Sequence, residues 1–251
     1  MNQRGNFFTS IPPVTRHLLI INVLMWLATI VFQRSLNIDL VTVLGLHFWQ
    51  APAFNPYQFF TYMFMHDPSN FAHVFFNMFS LWMFGTLLER VLGPKRYLFY
   101  YVSCGLGAAL VQEITWHLTW QDTLAQLLAK NAGGTAAQAL QAINAGLVPA
   151  DVVSAFMDSM VTIGASGAVF GILLAFGMIF PNMKMYIIPF PFPIKAKWMV
   201  MGYGAVELFF GIHGVMSGVA HFAHLGGMIA GVFIILYWKY KGIIGGGHGY
   251  Y

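Results

Sequence analysis

Two short polar motifs in this chain combine the residue types that acyl-transfer chemistry needs. A serine lies in Gly164-Ala165-Ser166-Gly167 and a histidine pair lies in His221-Phe222-Ala223-His224, both within long apolar segments. A serine hydroxyl becomes a nucleophile when an imidazole within hydrogen-bond reach removes its proton. Polar side chains inside apolar segments of membrane length are costly, so they are functional-site candidates by default. We therefore predict that Ser166 is the nucleophile and His224 its base.

A third motif supplies hydrogen-bond donors for the negative charge that such a reaction develops. His73 and Asn77 are four residues apart, so on a helix they project from one face. Both side chains can donate to an oxyanion, and the Ser166 backbone N–H, free at a helix start, is a further donor. Each motif taken alone is also compatible with helix packing or with a structural hydrogen bond.

Glycine pairs beside the serine and the histidine predict that their helices approach closely. The two GxxxG pairs are Gly167 with Gly171, and Gly227 with Gly231. Small residues at this spacing let helix backbones come almost into contact. His224 shares the face of the second pair, whereas His221 is rotated away from it, so His224 is the better candidate base.

The remaining polar residues predict a serine–histidine dyad without a metal or cofactor. No carboxylate is an obvious third member at the required depth and face. Glu207, in an apolar segment, is either a gated polar contact or, as the favoured interpretation, a structural hydrogen-bond anchor. His221 and His224 could bind a metal, but no third or fourth ligand has suitable spacing.

The composition identifies a membrane protein with six candidate spans. The chain is 58% hydrophobic and 8% charged, which excludes an ordinary soluble domain. A spanning helix needs roughly 20 mostly apolar residues. The candidates are approximately Leu18–Phe32, Phe71–Val91, Tyr97–Trp116, Ile163–Phe180, Trp198–Ile212 and Val219–Trp238. The predicted fold class is an all-α membrane protein, a six-transmembrane-helix bundle with interfacial outer loops.

The positions of the basic residues predict which side each loop occupies. With the N-terminus inside, ten of the 12 Lys and Arg fall in inner segments, and only Arg34 and Lys130 fall outside. The basic pI then reflects topology and contact with lipid, and it is no evidence for nucleic acid. In this orientation His73, Asn77, Ser166 and His224 share one depth near the outer face.

The chain divides into a membrane domain and short flanks. We predict a cytoplasmic N-terminus over residues 1–16, a membrane domain over 17–240 and a flexible tail over 241–251. An outer insert over about 117–160 shows short helical patterns over Thr123–Leu128 and Ala136–Ile143. That insert is either a helical segment resting on the surface that orders the loop, or a regulatory lid or substrate platform. Cys104 is the single cysteine, so no disulfide framework is predicted.

These motifs resemble those of the rhomboid intramembrane serine proteases. The matching elements are HxxxN over His73–Asn77, GxSG over Gly164–Gly167, and the segment Ala220–Gly227 followed by Gly231, with Glu89-Arg90 and Gly93 after the second span. The resemblance implies a six-helix rhomboid-like bundle, a Ser166–His224 dyad, and an oxyanion held with the help of His73 and Asn77. It also implies cleavage, without a cofactor, of single-span membrane proteins near the outer ends of their helices.

Two other function classes compete with the protease. A membrane scaffold (a pseudoprotease) would bind transmembrane clients without cutting them and would tolerate loss of Ser166. A transporter or channel would place polar residues along a path through the bilayer, whereas polarity here clusters near one face. The expected partners are transmembrane protein substrates and membrane lipid, without nucleic acid and with no prediction of oligomeric state. The expected location is the bacterial inner membrane, with both termini cytoplasmic.

Overall fold

A computed structural model describes residues 10–186, 192–214 and 220–244. Within these ranges the helices are α1 (Pro13–Leu36), α2 (Leu40–Leu44), α3 (Gln58–Thr61), α4 (Phe71–Leu92), α5 (Pro94–Ala132), α6 (Ala136–Asn144), α7 (Ala150–Ser159), α8 (Ser166–Ile179), α9 (Ala196–His213) and α10 (His221–Tyr240). The strands are β1 (Leu46–His47), β2 (Val161–Thr162), β3 (Lys184–Met185) and β4 (Ile194–Lys195). Most of the predicted N-terminal flank and C-terminal tail lies outside the described residues, as does Val219, the first residue of the sixth predicted span.

Three of the described helices are long and apolar enough to cross a membrane. They are α1, α4 and α10, and α8 is a shorter apolar helix. The third and fifth predicted spans lie within α5 and α9. The chain is therefore a mostly helical membrane protein, and each of the six predicted spans corresponds to a helix of the structure.

Helix α5 extends well beyond the span predicted within it. It has 39 residues, so at 1.5 Å per residue it is about 58 Å long, roughly twice the hydrocarbon thickness of a bilayer. No Gly or Pro interrupts the sequence between Gly107 and Gly133, where positive φ ends the helix. The helical pattern predicted over Thr123–Leu128 is confirmed, and these residues belong to α5.

The expectation of an all-α chain needs a correction. Two antiparallel ladders pair β1 with β2, and β3 with β4. In the first ladder Leu46 faces Thr162 and His47 faces Val161. The loop between α1 and α4, over residues 37–70, is called the first outer loop after its predicted side of the membrane. Backbone polar groups of a packed loop need hydrogen-bond partners, and this ladder supplies them where that loop meets the segment before Ser166.

Gln58 organises the first outer loop from its interior. Its side chain is fully buried, and Oε1 accepts from the N–H groups of His47 and Asn55 at 3.2 and 3.1 Å. Its Nε2 donates to the carbonyl oxygens of Val43 and Ala53 at 3.3 and 3.0 Å. One amide thus joins several turns of this loop, which explains how a segment without long helices keeps a defined shape.

Helix α8 lies at the centre of the bundle. Nine of its 14 residues are buried, on all sides of the helix, and it packs against α5 and α10. Tyr100 of α5 donates its hydroxyl to the Gly171 carbonyl oxygen at 2.7 Å. A helix that is apolar all round is stable only when surrounded, so protein covers α8 over most of its surface.

Glu89 ties the start of α1 to the end of α4. Its carboxylate is buried and accepts from the N–H groups of Val14 and Thr15, at 2.9 and 2.7 Å, and from the Thr15 hydroxyl at 2.8 Å. The N-cap residue Pro12 provides no side-chain cap of its own. The carboxylate therefore caps α1 from a neighbouring helix, satisfying N–H groups that a helix start leaves unpaired.

We expect Glu89→Ala to destabilise the protein by about 3 kcal/mol, because two buried N–H groups lose their acceptors. The measurement is the thermal unfolding midpoint of the purified protein in detergent. Glu89→Gln retains one acceptor oxygen and should therefore retain part of the stability. The control is Arg90→Ala, which removes only an exposed hydrogen bond to the Ser10 carbonyl oxygen. Equal midpoints for Glu89→Ala and wild type would contradict the capping role.

Candidate active site

Ser166 is the first residue of α8, and a glycine turn brings the chain to it. Gly164 has a φ of 128°, a conformation that residues with a Cβ rarely adopt. Its N–H donates to the Tyr62 carbonyl oxygen at 3.0 Å, which ties the turn to the first outer loop. The Ser166 N–H belongs to the first turn of α8, where N–H groups have no acceptor within the helix.

His224, in the first turn of α10, meets the serine directly. Its Nε2 lies 2.8 Å from Ser166 Oγ, a contact between residues 58 positions apart in the sequence. The imidazole also lies flat against the Phe170 ring, with centroids 4.3 Å apart and planes inclined by 7°. The structure thus brings together the two residues predicted to be nucleophile and base, and Phe170 restricts the rotation of the imidazole.

Backbone contact between α8 and α10 makes this approach possible. A Cβ on Gly227 would overlap the Gly167 carbonyl group, and a Cβ on Gly171 would lie 2.5 Å from Cys104 Sγ and 3.1 Å from the Gly227 carbonyl oxygen. The close approach predicted from the glycine pairs is confirmed. With any larger residue at Gly227, the two helices would have to separate.

His73 lies beside the serine, and Asn77 lies one turn further along α4. The point that a Gly164 Cβ would occupy is 2.9 Å from His73 Nε2 and 3.6 Å from Ser166 Oγ. The Asp67 N–H donates to His73 Nδ1, with the two nitrogens 3.5 Å apart, a weak contact that favours the ring proton of a neutral His73 on Nε2. Asn77 donates one amide N–H to the His73 carbonyl oxygen at 2.9 Å and has a second to offer.

His66 packs against His73 from the first outer loop. The two ring centroids are 5.0 Å apart, and His66 is fully buried. Burial, with a smaller effect of the neighbouring His73 ring, lowers the pKa of His66 to about 3. His66 is consequently neutral at physiological pH and adds no positive charge next to His73.

The structure brings a carboxylate next to the histidine, although no carboxylate was an obvious third member from the sequence. Glu207 Oε2, on α9, is 2.7 Å from His221 Nδ1 and 3.0 Å from His224 Nδ1. The contact with His221 is a hydrogen bond, whereas the contact with His224 is close but not aligned as one. Sequence spacing did not predict this cluster, because α9 and α10 are separate helices whose facing sides are set by how they pack.

Glu207 adds a third potential metal ligand next to His221 and His224, which sequence spacing had not indicated. Ligand atoms of Glu207, His221 and His224 all lie within 4.8 Å of one another. The contacts of 2.7 and 3.0 Å are shorter than the separation of about 3.4 Å between neighbouring ligands of a tetrahedral zinc ion. The cluster therefore has the spacing of hydrogen-bonded side chains.

The candidate residues line one open cavity of about 1540 Å³. Ser166, His224, His73 and Asn77 all contribute to its wall. Its wall includes residues of α4, such as Phe76, and of α9, such as Tyr203. The cavity is large enough to admit a peptide segment.

A polar pair in α5 was not among the predicted site residues. Gln112 is buried and lines the cavity, and its Oε1 has no hydrogen-bond partner among the described residues. Glu113 accepts from the Trp49 N–H at 2.9 Å and so fastens the first outer loop to α5. Two consecutive polar residues within a predicted span were the signal that could have identified them.

Comparisons with known proteins agree on one family. A family model described as the Rhomboid domain matches residues 53–241, which include every residue of the site. "Rhomboid protein 1, mitochondrial" of Saccharomyces cerevisiae is 27% identical over 162 residues, covering 64% of this chain and 36% of that protein. "Rhomboid protease AarA" of Providencia stuartii is 27% identical over 175 residues, covering 66% of this chain and 50% of that protein. The chain spans half or less of the length of these relatives.

Proposed function

The chain belongs to the rhomboid family and is an integral multi-pass membrane protein, and we propose that it is a serine endopeptidase that cuts transmembrane proteins. The observation that carries this proposal is the distance of 2.8 Å between His224 Nε2 and Ser166 Oγ inside an open cavity. A hydroxyl and an imidazole at this distance can exchange a proton, which is the first requirement of nucleophilic catalysis by serine.

In the proposed reaction, Ser166 Oγ attacks the scissile carbonyl carbon while its proton passes to His224 Nε2. The carbonyl oxygen becomes negative, and the proposed donors to it are His73 Nε2–H, the Asn77 amide and the Ser166 N–H. His224 then gives its proton to the leaving amine, and the peptide bond breaks to leave an acyl ester on Ser166. A water, deprotonated by His224, hydrolyses that ester and restores the serine.

The substrate is proposed to be a single-span membrane protein cut near the outer end of its helix. Helical carbonyl groups are already hydrogen-bonded, so the substrate must unwind locally before its scissile bond can enter the cavity. The open cavity, whose wall includes residues of α4 and α9, would hold that segment. We further propose that six helices cross the membrane, with both termini in the cytoplasm of a bacterium.

The proposal is tested by labelling and cleavage with the full chain in detergent or liposomes. A fluorophosphonate probe is expected to modify Ser166, located by mass spectrometry of the labelled peptide, and a model single-span substrate is expected to be cut. Labelling can fail if the probe is excluded, so the cleavage assay decides. A folded protein that binds the substrate but neither labels nor cleaves would contradict the protease and favour the client-binding scaffold.

The proposed oxyanion donors have a measurable effect of their own. We expect His73→Ala and Asn77→Ala each to lower kcat by about 10²-fold, the usual cost of losing one oxyanion donor, with little change in KM. Steady-state cleavage of the model substrate measures both constants. The control is Phe75→Ala, which changes an exposed side chain on the same helix. A kcat within twofold of wild type for both variants would remove these residues from the mechanism.

A further inference from the structure

We propose that the Glu207 carboxylate positions His224 for the reaction, an inference that rests on the proposed protease function. Glu207 lies in the apolar central part of α9 and is 9% exposed. A carboxylate there costs free energy unless it has partners, and such residues commonly serve a function. Its partners are the two imidazoles of α10, at 2.7 Å for His221 and 3.0 Å for His224.

The carboxylate selects the tautomer of His224 that the reaction needs. His224 Nε2 can accept the Ser166 proton only if the ring proton is on Nδ1. Nδ1 faces Glu207 Oε2 at 3.0 Å, and an ionised carboxylate oxygen only accepts hydrogen bonds. The Nδ1-protonated ring is therefore favoured. Catalytic hydrogen bonds of a free enzyme are often poorly aligned and become aligned when substrate binds, which fits the imperfect Nδ1 contact here.

The carboxylate also stabilises the charge that forms on His224. When the serine proton is transferred, the imidazole becomes an imidazolium, and a negative group at 3.0 Å interacts strongly with it in a site of low dielectric constant. The other titratable groups around His224 are His221 of the same helix and His73 of α4. Among the described residues, Glu207 alone forms an ion-pair contact with His224.

A purely structural role for Glu207 would act through His221. The hydrogen bond of 2.7 Å to His221 joins α9 to α10 and could by itself account for a buried glutamate. A structural anchor needs shape and hydrogen bonds, which glutamine can largely reproduce. A positioning residue needs the negative charge next to His224, which glutamine lacks. Replacing the carboxylate by its amide therefore separates the two roles.

The test compares Glu207→Gln with wild type in reconstituted full chain. We expect kcat to fall at least about tenfold, with KM unchanged. The equivalent change in a soluble serine protease lowers kcat by roughly 10⁴-fold. The rate of fluorophosphonate labelling at Ser166 should fall by the same factor, while the thermal unfolding midpoint stays near that of wild type. The matched control is Glu113→Gln, another carboxylate in a predicted span, which should keep wild-type kcat.

His221→Leu distinguishes the anchor from the positioning role. This variant removes the hydrogen bond between α9 and α10 but leaves Glu207 beside His224, so it should cost less kcat than Glu207→Gln. A kcat for Glu207→Gln within twofold of wild type, or a larger loss for His221→Leu, would overturn the inference. Absence of cleavage by wild type would instead contradict the proposed function.

A spectroscopic measurement decides the inference even if Glu207→Gln does not fold. In wild-type protein labelled with ¹⁵N-histidine, NMR at neutral pH should show the ring proton of His224 on Nδ1, with the resonance assigned by its loss in His224→Ala. The same Nδ1–H signal should persist in His221→Leu. Finding the proton on Nε2 of His224 in wild type would overturn the inference, whatever the activity of the variants.

Discussion

Ser166→Ala and His224→Ala are each expected to abolish cleavage of a transmembrane substrate, lowering kcat by at least about 10³-fold. The first variant removes the nucleophile, and the second removes the base that lies 2.8 Å from it. In a soluble serine protease the corresponding changes cost on the order of 10⁶-fold. The measurement is product formation in liposomes over long incubations, together with labelling by a fluorophosphonate probe. Labelling should be lost in both variants.

Two matched variants show whether the loss is specific to the site. Ser103→Ala removes a serine of α5, and His213→Ala removes an exposed histidine at the end of α9 whose ring contacts only its own helix turn among the described contacts. Both should cleave and label like wild type. The double variant of Ser166 and His224 should be no slower than either single variant, because the two side chains act as one unit. Persistent cleavage in Ser166→Ala would require another nucleophile.

Gly227→Ala is expected to lower the stability of the protein by at least about 3 kcal/mol and to eliminate activity in whatever protein still folds. The added methyl group would overlap the Gly167 carbonyl group, and that group belongs to the backbone of α8 and cannot rotate away. Helices α8 and α10 would have to move apart. That movement would also lengthen the contact between Ser166 and His224, which these same helices hold.

The measurement for Gly227→Ala is the thermal unfolding midpoint in detergent, with cleavage assayed on the folded fraction. Gly202→Ala is a matched control, since a Cβ at Gly202 in α9 meets nothing within 4 Å. Alanine is a better helix former than glycine, so this control should be neutral or slightly stabilising. A midpoint for Gly227→Ala equal to that of wild type would show that α8 and α10 are farther apart than the structure has them.

Helix positions followed closely from local sequence wherever the chain carries its own start and stop signals. The second span was predicted over Phe71–Val91, and α4 runs from Phe71 to Leu92. Its start is capped by Asn70, whose side chain accepts from the His73 N–H, and its end is set by Gly93 with positive φ. The helix of the third span lacks such a stop before Gly133, so α5 continues beyond the span predicted within it. The two-residue strands show no periodicity that could have predicted them.

The sequence by itself determined the apolar helices and the glycine pairs, and it singled out Ser166, His224 and His73. These features depend on neighbours along the chain and on burial of apolar surface, which composition and spacing report directly. Only the tertiary structure decided that Glu207 reaches His224 and that Gln112 lines the cavity. Those contacts depend on the rotation and crossing of separate helices, which is set by side-chain packing over the whole bundle and leaves no local pattern.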